Sequence, residues 1–247
     1  MAWPDGQSPT KDDGTVLEVT GLRAGYGPLT AVFDADLQLR RGEIVALMGH
    51  NGAGKTTTVK AIFGLVKARA GSIRYSGEDI TGHGPRHNVS SGMSFTPAES
   101  FVFSDLSVQD NLRLGALSNA SAERRDERMH QVLELFPILG ERAKQRAGTF
   151  SGGQQRMLSV GIALMSDPRL MLLDEPSLGL SPAVVDQILA TLRELATKER
   201  MTVLVVEQNM RYALEVADRM VIMHAGRTTL DATVEEMRAR DSWWELF

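Results

Sequence analysis

The sequence predicts an α/β fold, and three observations carry the prediction. Glu43–Met48 is a short apolar run that passes through a Gly-rich turn straight into a helical pattern, Thr56–Phe63. Leu170–Leu173 is continuously apolar and ends in two acids, as strands of parallel sheets covered on both faces do. From about Ser104 to about Arg146 apolar residues recur at helical spacing, which predicts a helical subdomain carried by the α/β core.

Taken in order, Val16–Thr20 and Leu29–Leu39 have strand-like spacing on either side of the turn Gly25-Tyr26-Gly27-Pro28, an N-terminal antiparallel β part. Gly71–Tyr75 and Met93–Phe95 are further predicted strands. Ser107–Leu117 is a predicted helix with Leu106 just ahead of its cap. In Ala122–Phe136 the residues Met129, Val132, Leu133, Leu135 and Phe136 form an apolar stripe beneath Glu, Arg and Asp. Ser151–Met165 is a predicted helix with a Ser-Gly-Gly start, which extends the helical subdomain to approximately 104–166. Helices are expected over Pro182–Thr197 and Met210–Val216, a core strand over Thr202–Val206, and a hairpin from Met220–Met223 to Thr228–Leu230 with Gly226 at its turn. A mixed C-terminal segment holds Trp243 and Trp244.

With 247 residues the chain is long enough for a substantial core, and the pattern divides it into a tail, 1–14, and one domain, 15–247. Met1–Gly14 is rich in Trp, Pro, Gly, Ser and Asp and lacks the basic start and apolar run of a signal peptide; it is expected to be a flexible tail. A formal charge of −4 gives no basic footprint for nucleic acid. With 0 Cys, disulfides, thiol nucleophiles and cysteine-held metals are excluded. Val160–Met165 and Leu170–Leu173 are too short to cross a bilayer, so a membrane connection must run through a partner.

Gly49-His50-Asn51-Gly52-Ala53-Gly54-Lys55-Thr56 satisfies the full phosphate-loop pattern, after a strand and before a helix, and so defines a P-loop NTPase core. Glycines allow a tight turn whose N–H groups face phosphate oxygens, and the following helix adds its positive end. Gly49, Asn51, Gly52, Ala53, Gly54, Lys55, Thr56 and Thr57 are therefore the expected nucleotide-binding stretch. Lys55 would reach the outer phosphates and Thr56 would ligate magnesium. His50 sits at a variable position of the pattern and is read as structural.

Asp174 and Glu175 stand at the carboxyl edge of the predicted strand Leu170–Leu173, where ligands of open α/β sheets bind. Adjacent strand side chains point apart, so two roles are expected: Asp174 for magnesium and Glu175 for the water attacking the γ-phosphate. Taken alone, two such acids are equally a capping or surface feature; Lys55 in the same chain tips the balance to function. Ser151-Gly152-Gly153-Gln154 offers a second anion cradle, from the Ser151 hydroxyl and free helical N–H groups.

Phe150-Ser151-Gly152-Gly153-Gln154-Gln155-Arg156 resembles the signature motif of ABC transporter ATPases, and the likeness runs from about Val16 to about Leu230. The resemblance implies ATP and Mg2+ as ligands, with Ser151–Gln154 contacting the γ-phosphate held by an opposite subunit. It puts Tyr26 where an aromatic ring stacks on adenine, a role weighed against plain surface packing. Ser177-Leu178-Gly179-Leu180-Ser181 corresponds to a dimer-contact loop, Arg69-Ala70-Gly71-Ser72-Ile73 to the return strand and Asp218-Arg219-Met220 to the late Ala-Asp-Arg segment.

Two positions depart from the family pattern. Ala98, within Phe95–Phe103, replaces the usual Gln between core and helical subdomain, so coupling is assigned to the loop and metal contact is not assigned to Ala98. Phe101-Val102-Phe103 is divided evenly between core packing and partner contact. Gln208 takes the usual His switch position; it can donate to a phosphate oxygen but cannot titrate near neutral pH, which leaves Glu175 to activate water with Lys55 and Gln208 beside it.

Glu207-Gln208-Asn209, the stretch Leu173–Leu180 and Phe103–Leu112 resemble the smaller ATPase of high-affinity branched-chain amino acid importers. That likeness implies a peripheral protein on the cytoplasmic face of the inner or plasma membrane. Its partners would be two integral-membrane permease subunits, a second homologous ATPase and, indirectly, an extracytoplasmic solute-binding protein. Homodimer and heterodimer both remain open, as does the solute. The rival readings are a soluble ATP-dependent interaction protein in repair, translation or assembly, which lacks the expected coiled-coil insertion or fused second unit here, and a regulatory subunit with little hydrolysis.

Overall fold

The computed structural model describes residues 14–99, 101–118 and 121–240. Most of the expected tail, Ser100, and Trp243 with Trp244 lie outside the described residues. The strands are β1 (Thr15–Tyr26), β2 (Leu29–Arg40), β3 (Ile44–Met48), β4 (Ala68–Tyr75), β5 (Glu78–Asp79), β6 (Met93–Thr96), β7 (Leu170–Asp174), β8 (Thr202–Val206), β9 (Arg219–His224) and β10 (Arg227–Thr233). The helices are α1 (Lys55–Ile62), α2 (Pro85–Ser90), α3 (Val108–Gly115), α4 (Ala122–Leu135), α5 (Pro137–Glu141), α6 (Gly152–Leu164), α7 (Pro182–Lys198), α8 (Met210–Val216) and α9 (Val234–Arg238).

Among the described residues the strands form one sheet in the order β5-β4-β1-β2-β10-β9-β3-β8-β7-β6. β1 pairs antiparallel with β2 and β4, the expected N-terminal β part, while β9, β3, β8, β7 and β6 run parallel. Alternation divides the parallel strands between two cores. Ile44, Ala46 and Met48 of β3 face the side that holds α3, α6 and α7, whereas Val45 and Leu47 face Val59 and Ile62 of α1 and the β1–β2 hairpin. With both faces covered, β3, β7 and β8 are buried along their whole length and, Asp174 and Thr202 apart, apolar.

Helices α3, α4 and α6 follow from their caps. The Ser107, Ser121 and Ser151 side chains each accept a backbone N–H three residues on. The α-helix expected to reach Leu117 ends at Gly115 and tightens into a 3-10 turn over Ala116–Ser118. Three further elements, β5, α2 and α5, are two, six and five residues long, too short for periodicity to register. No helix among the described residues is long and apolar enough to cross a membrane.

Candidate functional site

The carboxyl ends of β3, β7 and β8 meet at one edge of the sheet, because these strands are parallel neighbours in the order β3-β8-β7. The phosphate loop leaves β3 there. At Gly49, with φ +149°, a Cβ would come within 2.3 Å of the Met223 carbonyl oxygen, so only glycine lets the chain turn against β9. Gly54 caps α1 in a left-handed conformation, φ +102°. Gly52 has open space where a side chain would stand, and Ala53, Lys55 and Thr57 are buried. Lys55 Nζ donates to the Gly49 carbonyl oxygen at 2.6 Å and to that of His50 at 3.0 Å, which holds the ammonium against the loop. Burial pushes the Lys55 ammonium down from its ordinary value, against the pull of Glu175, Asp174 and Glu207.

Across the edge, Asp174 is 2% exposed, and its Oδ1 accepts the Thr56 hydroxyl at 3.1 Å. Burial raises the Asp174 carboxyl above the ordinary aspartate value; the Thr56 hydrogen bond opposes that rise and the charge of Glu175 adds to it. Glu175 leaves the strand with φ +45°, a conformation that costs a non-glycine residue roughly 1–2 kcal/mol. Its N–H is held by the Val206 carbonyl oxygen at 3.0 Å, and its Oε1 accepts a hydrogen bond from Gln208 Nε2. Thus Lys55, Thr56, Asp174, Glu175 and Gln208 converge, a buried cation facing two carboxylates and a neutral amide.

Ser151–Gln154 forms a different kind of helix start. The Ser151 hydroxyl accepts the Gln154 N–H at 3.3 Å, and Gln154 Oε1 accepts the Ser151 N–H at 3.1 Å, so the two residues cap each other. Ser151 and Gly152 are exposed and Gly153 and Gln154 half-buried. Two residues behind, Arg156 is buried and Nη2 donates to the Asp174 carbonyl oxygen at 2.8 Å. Its Nη1 donates to the carbonyl oxygens of Pro97 and, at 3.1 Å, Ala98. Burial brings the guanidinium down to about 10. Ala98 therefore joins the site through its backbone. Farther along, Phe103 N–H and O are both bonded to the buried Asn111 side chain. Phe101 and Phe103 stay 61% and 45% exposed while Val102 packs on the core, so core packing accounts for Val102 and the two rings stand at the surface.

Tyr26 ends β1 and is 50% exposed. The turn that follows is tied down by Arg69, whose Nη2 donates to the Leu29 carbonyl oxygen at 3.0 Å and whose Nη1 donates to Thr30 Oγ1 at 2.9 Å. Three residues of this neighbourhood carry no functional expectation from the sequence: Arg69, Arg156 and Glu207. Each lies inside a quoted motif, but its importance comes from carbonyl groups and hydroxyls supplied by distant segments.

The family described as ABC transporter matches residues 32–178. The chain is 44% identical over 208 residues to the high-affinity branched-chain amino acid transport ATP-binding protein BraG of Pseudomonas aeruginosa, covering 84% of this chain and 88% of that protein. It is 34% identical to the probable branched-chain amino acid transport ATP-binding protein LivF of Archaeoglobus fulgidus, over 94% of this chain and 98% of the relative. A crystal structure of a nucleotide-free ATP-binding cassette from an ABC transporter superposes with a TM-score of 0.83 at 23% identity, covering 94% and 97% of the two chains, a likeness of fold. With the P-loop, the paired acids and the Ser-Gly-Gly helix start all in place on that fold, the chain belongs to the ABC transporter family.

Proposed function

We propose that this chain is the ATP-hydrolysing subunit of an importer for branched-chain amino acids or related amino-acid or amide solutes. The observation that carries the reading is the convergence of Lys55, Thr56, Asp174, Glu175 and Gln208 at one sheet edge. The names of the 44% and 34% identical relatives support the importer and its solute class. We read residues 15–247 as one nucleotide-binding domain, with 104–166 as its helical subdomain.

Magnesium fits the oxygens present. Thr56 Oγ1 and Asp174 Oδ1 are 3.1 Å apart, close to the separation of about 3 Å between adjacent ligands of an octahedral shell. Burial raises the Asp174 carboxyl above its ordinary value, and a bound cation would favour its charged form. When bound, magnesium would neutralise charge on the outer phosphates. The chain's own groups do the rest. N–H groups from Gly49 to Thr57 cradle the phosphates, and Lys55 exchanges two carbonyl partners for phosphate oxygens. Tyr26 stacks on the base. Glu175 orients and deprotonates the attacking water, while Gln208 moves its amide from Glu175 to a phosphate oxygen. Ser151, Gly152, Gly153 and Gln154 supply a second, facing cradle to the nucleotide of a partner ATPase. Closure brings the two halves together and drives the loop around Pro97–Phe103 against a permease.

Two permease subunits, a second ATPase and an extracytoplasmic solute-binding protein complete the assembly, with this chain peripheral on the cytoplasmic membrane face. The exposed rings of Phe101 and Phe103 favour this over a soluble interaction protein. The deciding experiment replaces Glu175 with Gln in the purified chain. Nucleotide affinity stays within about twofold while kcat falls by about 100-fold or more. Turnover near that of the parent removes Glu175 from the role. Copurification with soluble repair or translation proteins alone, from gently solubilised membranes, overturns the importer.

A further inference from the structure

We infer that Glu207 is a positioning residue, locking the turn after Glu175 to the loop that carries Gln208 so that the two segments move as one. Glu207 follows β8 and is 1% exposed, so its carboxylate must find its partners inside the protein. It finds them on both flanking segments. Oε2 accepts the Ser177 hydroxyl at 2.8 Å and the Gln208 N–H at 3.3 Å, and Oε1 accepts the Ser177 N–H at 3.3 Å. The Asn209 N–H adds a further backbone hydrogen bond. Its own N–H is fixed by the Leu47 carbonyl oxygen at 3.2 Å, on the strand that feeds the phosphate loop.

The position of this knot gives it consequence. Ser177 stands two residues after Glu175 and leads into the exposed Leu178-Gly179 turn. Gln208, one residue after Glu207, donates to Glu175 Oε1. A buried anion therefore gathers donors from the two segments that aim Glu175 and Gln208 at each other. A neutral amide in its place offers one acceptor oxygen instead of two and turns an N–H2 toward groups that are themselves donors. Burial raises the Glu207 carboxyl above its ordinary value, and the hydrogen bonds from Ser177, Gln208 and Asn209 oppose that rise. Lys55 and Arg156 lie near enough to feel its charge. The inference rests on the proposed hydrolytic site but concerns the geometry of two loops, which can be read without turnover.

The test compares the full chain with Glu207→Gln, Ser177→Ala, Ser177→Thr and Gln208→Ala, by amide hydrogen exchange without nucleotide and by ATP affinity and hydrolysis. In Glu207→Gln the amides of Ser177 and Gln208 lose protection together, by about tenfold or more. kcat falls about tenfold, the size of a lost hydrogen bond to a charged group, with ATP affinity within about twofold. In the Gln208→Ala background the same change lowers kcat by a clearly smaller factor, because one of the two side chains it aligns is gone. Ser177→Thr, which keeps the hydroxyl, behaves as the parent, and Ser177→Ala shows a smaller loss in the same direction. Should Glu207→Gln not fold, the Ser177 pair carries the comparison. Equal factors in both Gln208 backgrounds, or amides that respond separately, overturn the inference. A parent chain that binds ATP without hydrolysing it counts against the functional reading, while the exchange data still decide this one.

Discussion

The two helix starts proposed to meet phosphate are opposites in construction. α1 opens from a loop that is exposed at His50–Gly52 and buried at Ala53–Gly54, with a left-handed glycine as cap, no side-chain cap, and a buried lysine folded back onto two carbonyl oxygens. α6 opens at the surface, with Ser151 and Gln154 capping each other reciprocally. The first carries a formal charge, and its lysine is already held against the loop proposed to bind nucleotide. The second carries no formal charge, is largely exposed and has its Ser151 and Gln154 N–H groups already bonded, so the proposed second cradle has little hold on a phosphate until a second surface presents one. This asymmetry is the physical reason to expect one chain to bind nucleotide alone but to hydrolyse it in a pair.

The contrast can be broken most severely at Lys55. Lys55→Ala removes the buried cation facing Asp174 and Glu175, and ATP affinity falls by about 100-fold or more in equilibrium titration. Ser151→Asp separates capping from phosphate contact. Aspartate caps as well as serine, so the thermal midpoint holds, while its charge repels an incoming phosphate and lowers kcat by about 100-fold at unchanged affinity of the single chain. If the chain pairs with itself, mixing the two inactive variants restores up to a quarter of parental turnover, because one mixed interface keeps both Lys55 and Ser151. Failure to complement, with pairing shown by light scattering, breaks the comparison. Gln208→His gives a subtler effect, read from the pH dependence of kcat. The imidazole beside Glu175 titrates above its ordinary value of about 6.5, and activity declines several-fold as pH falls through that value, a limb absent from the parent. Tyr26→Leu has the smallest effect, weakening ATP binding by about three- to tenfold at unchanged kcat.

Much of the nucleotide half is legible in the sequence because it is local. Eight consecutive residues spell the turn, the cap and the start of α1, and the four apolar residues before Asp174 announce a strand buried on both faces. The positions of Thr56 and Asp174 at hydrogen-bond distance follow from β3 and β7 flanking β8, which no local pattern contains. Ala98 illustrates the limit. By side chain it has nothing to offer, yet its carbonyl oxygen is gripped by Arg156, a residue quoted for the motif it belongs to and for no role of its own. The short elements β5, α2 and α5 escape for a simpler reason, since a run of two to six residues does not complete enough periods to stand out.

Residue type and spacing along the chain set the chemistry on offer: a P-loop lysine and threonine, two adjacent acids, an amide at Gln208 and an uncharged Ser-Gly-Gly helix start. These depend on residue type and near-neighbour geometry, which a linear pattern carries in full. Which of them meet was settled by the fold. It folded Glu207 between Ser177 and Gln208, turned Lys55 onto its own loop and set Arg156 beneath Asp174. Such partners are chosen by burial, since a polar group removed from water bonds whatever donor or acceptor the packing brings within reach, however far away it lies along the chain.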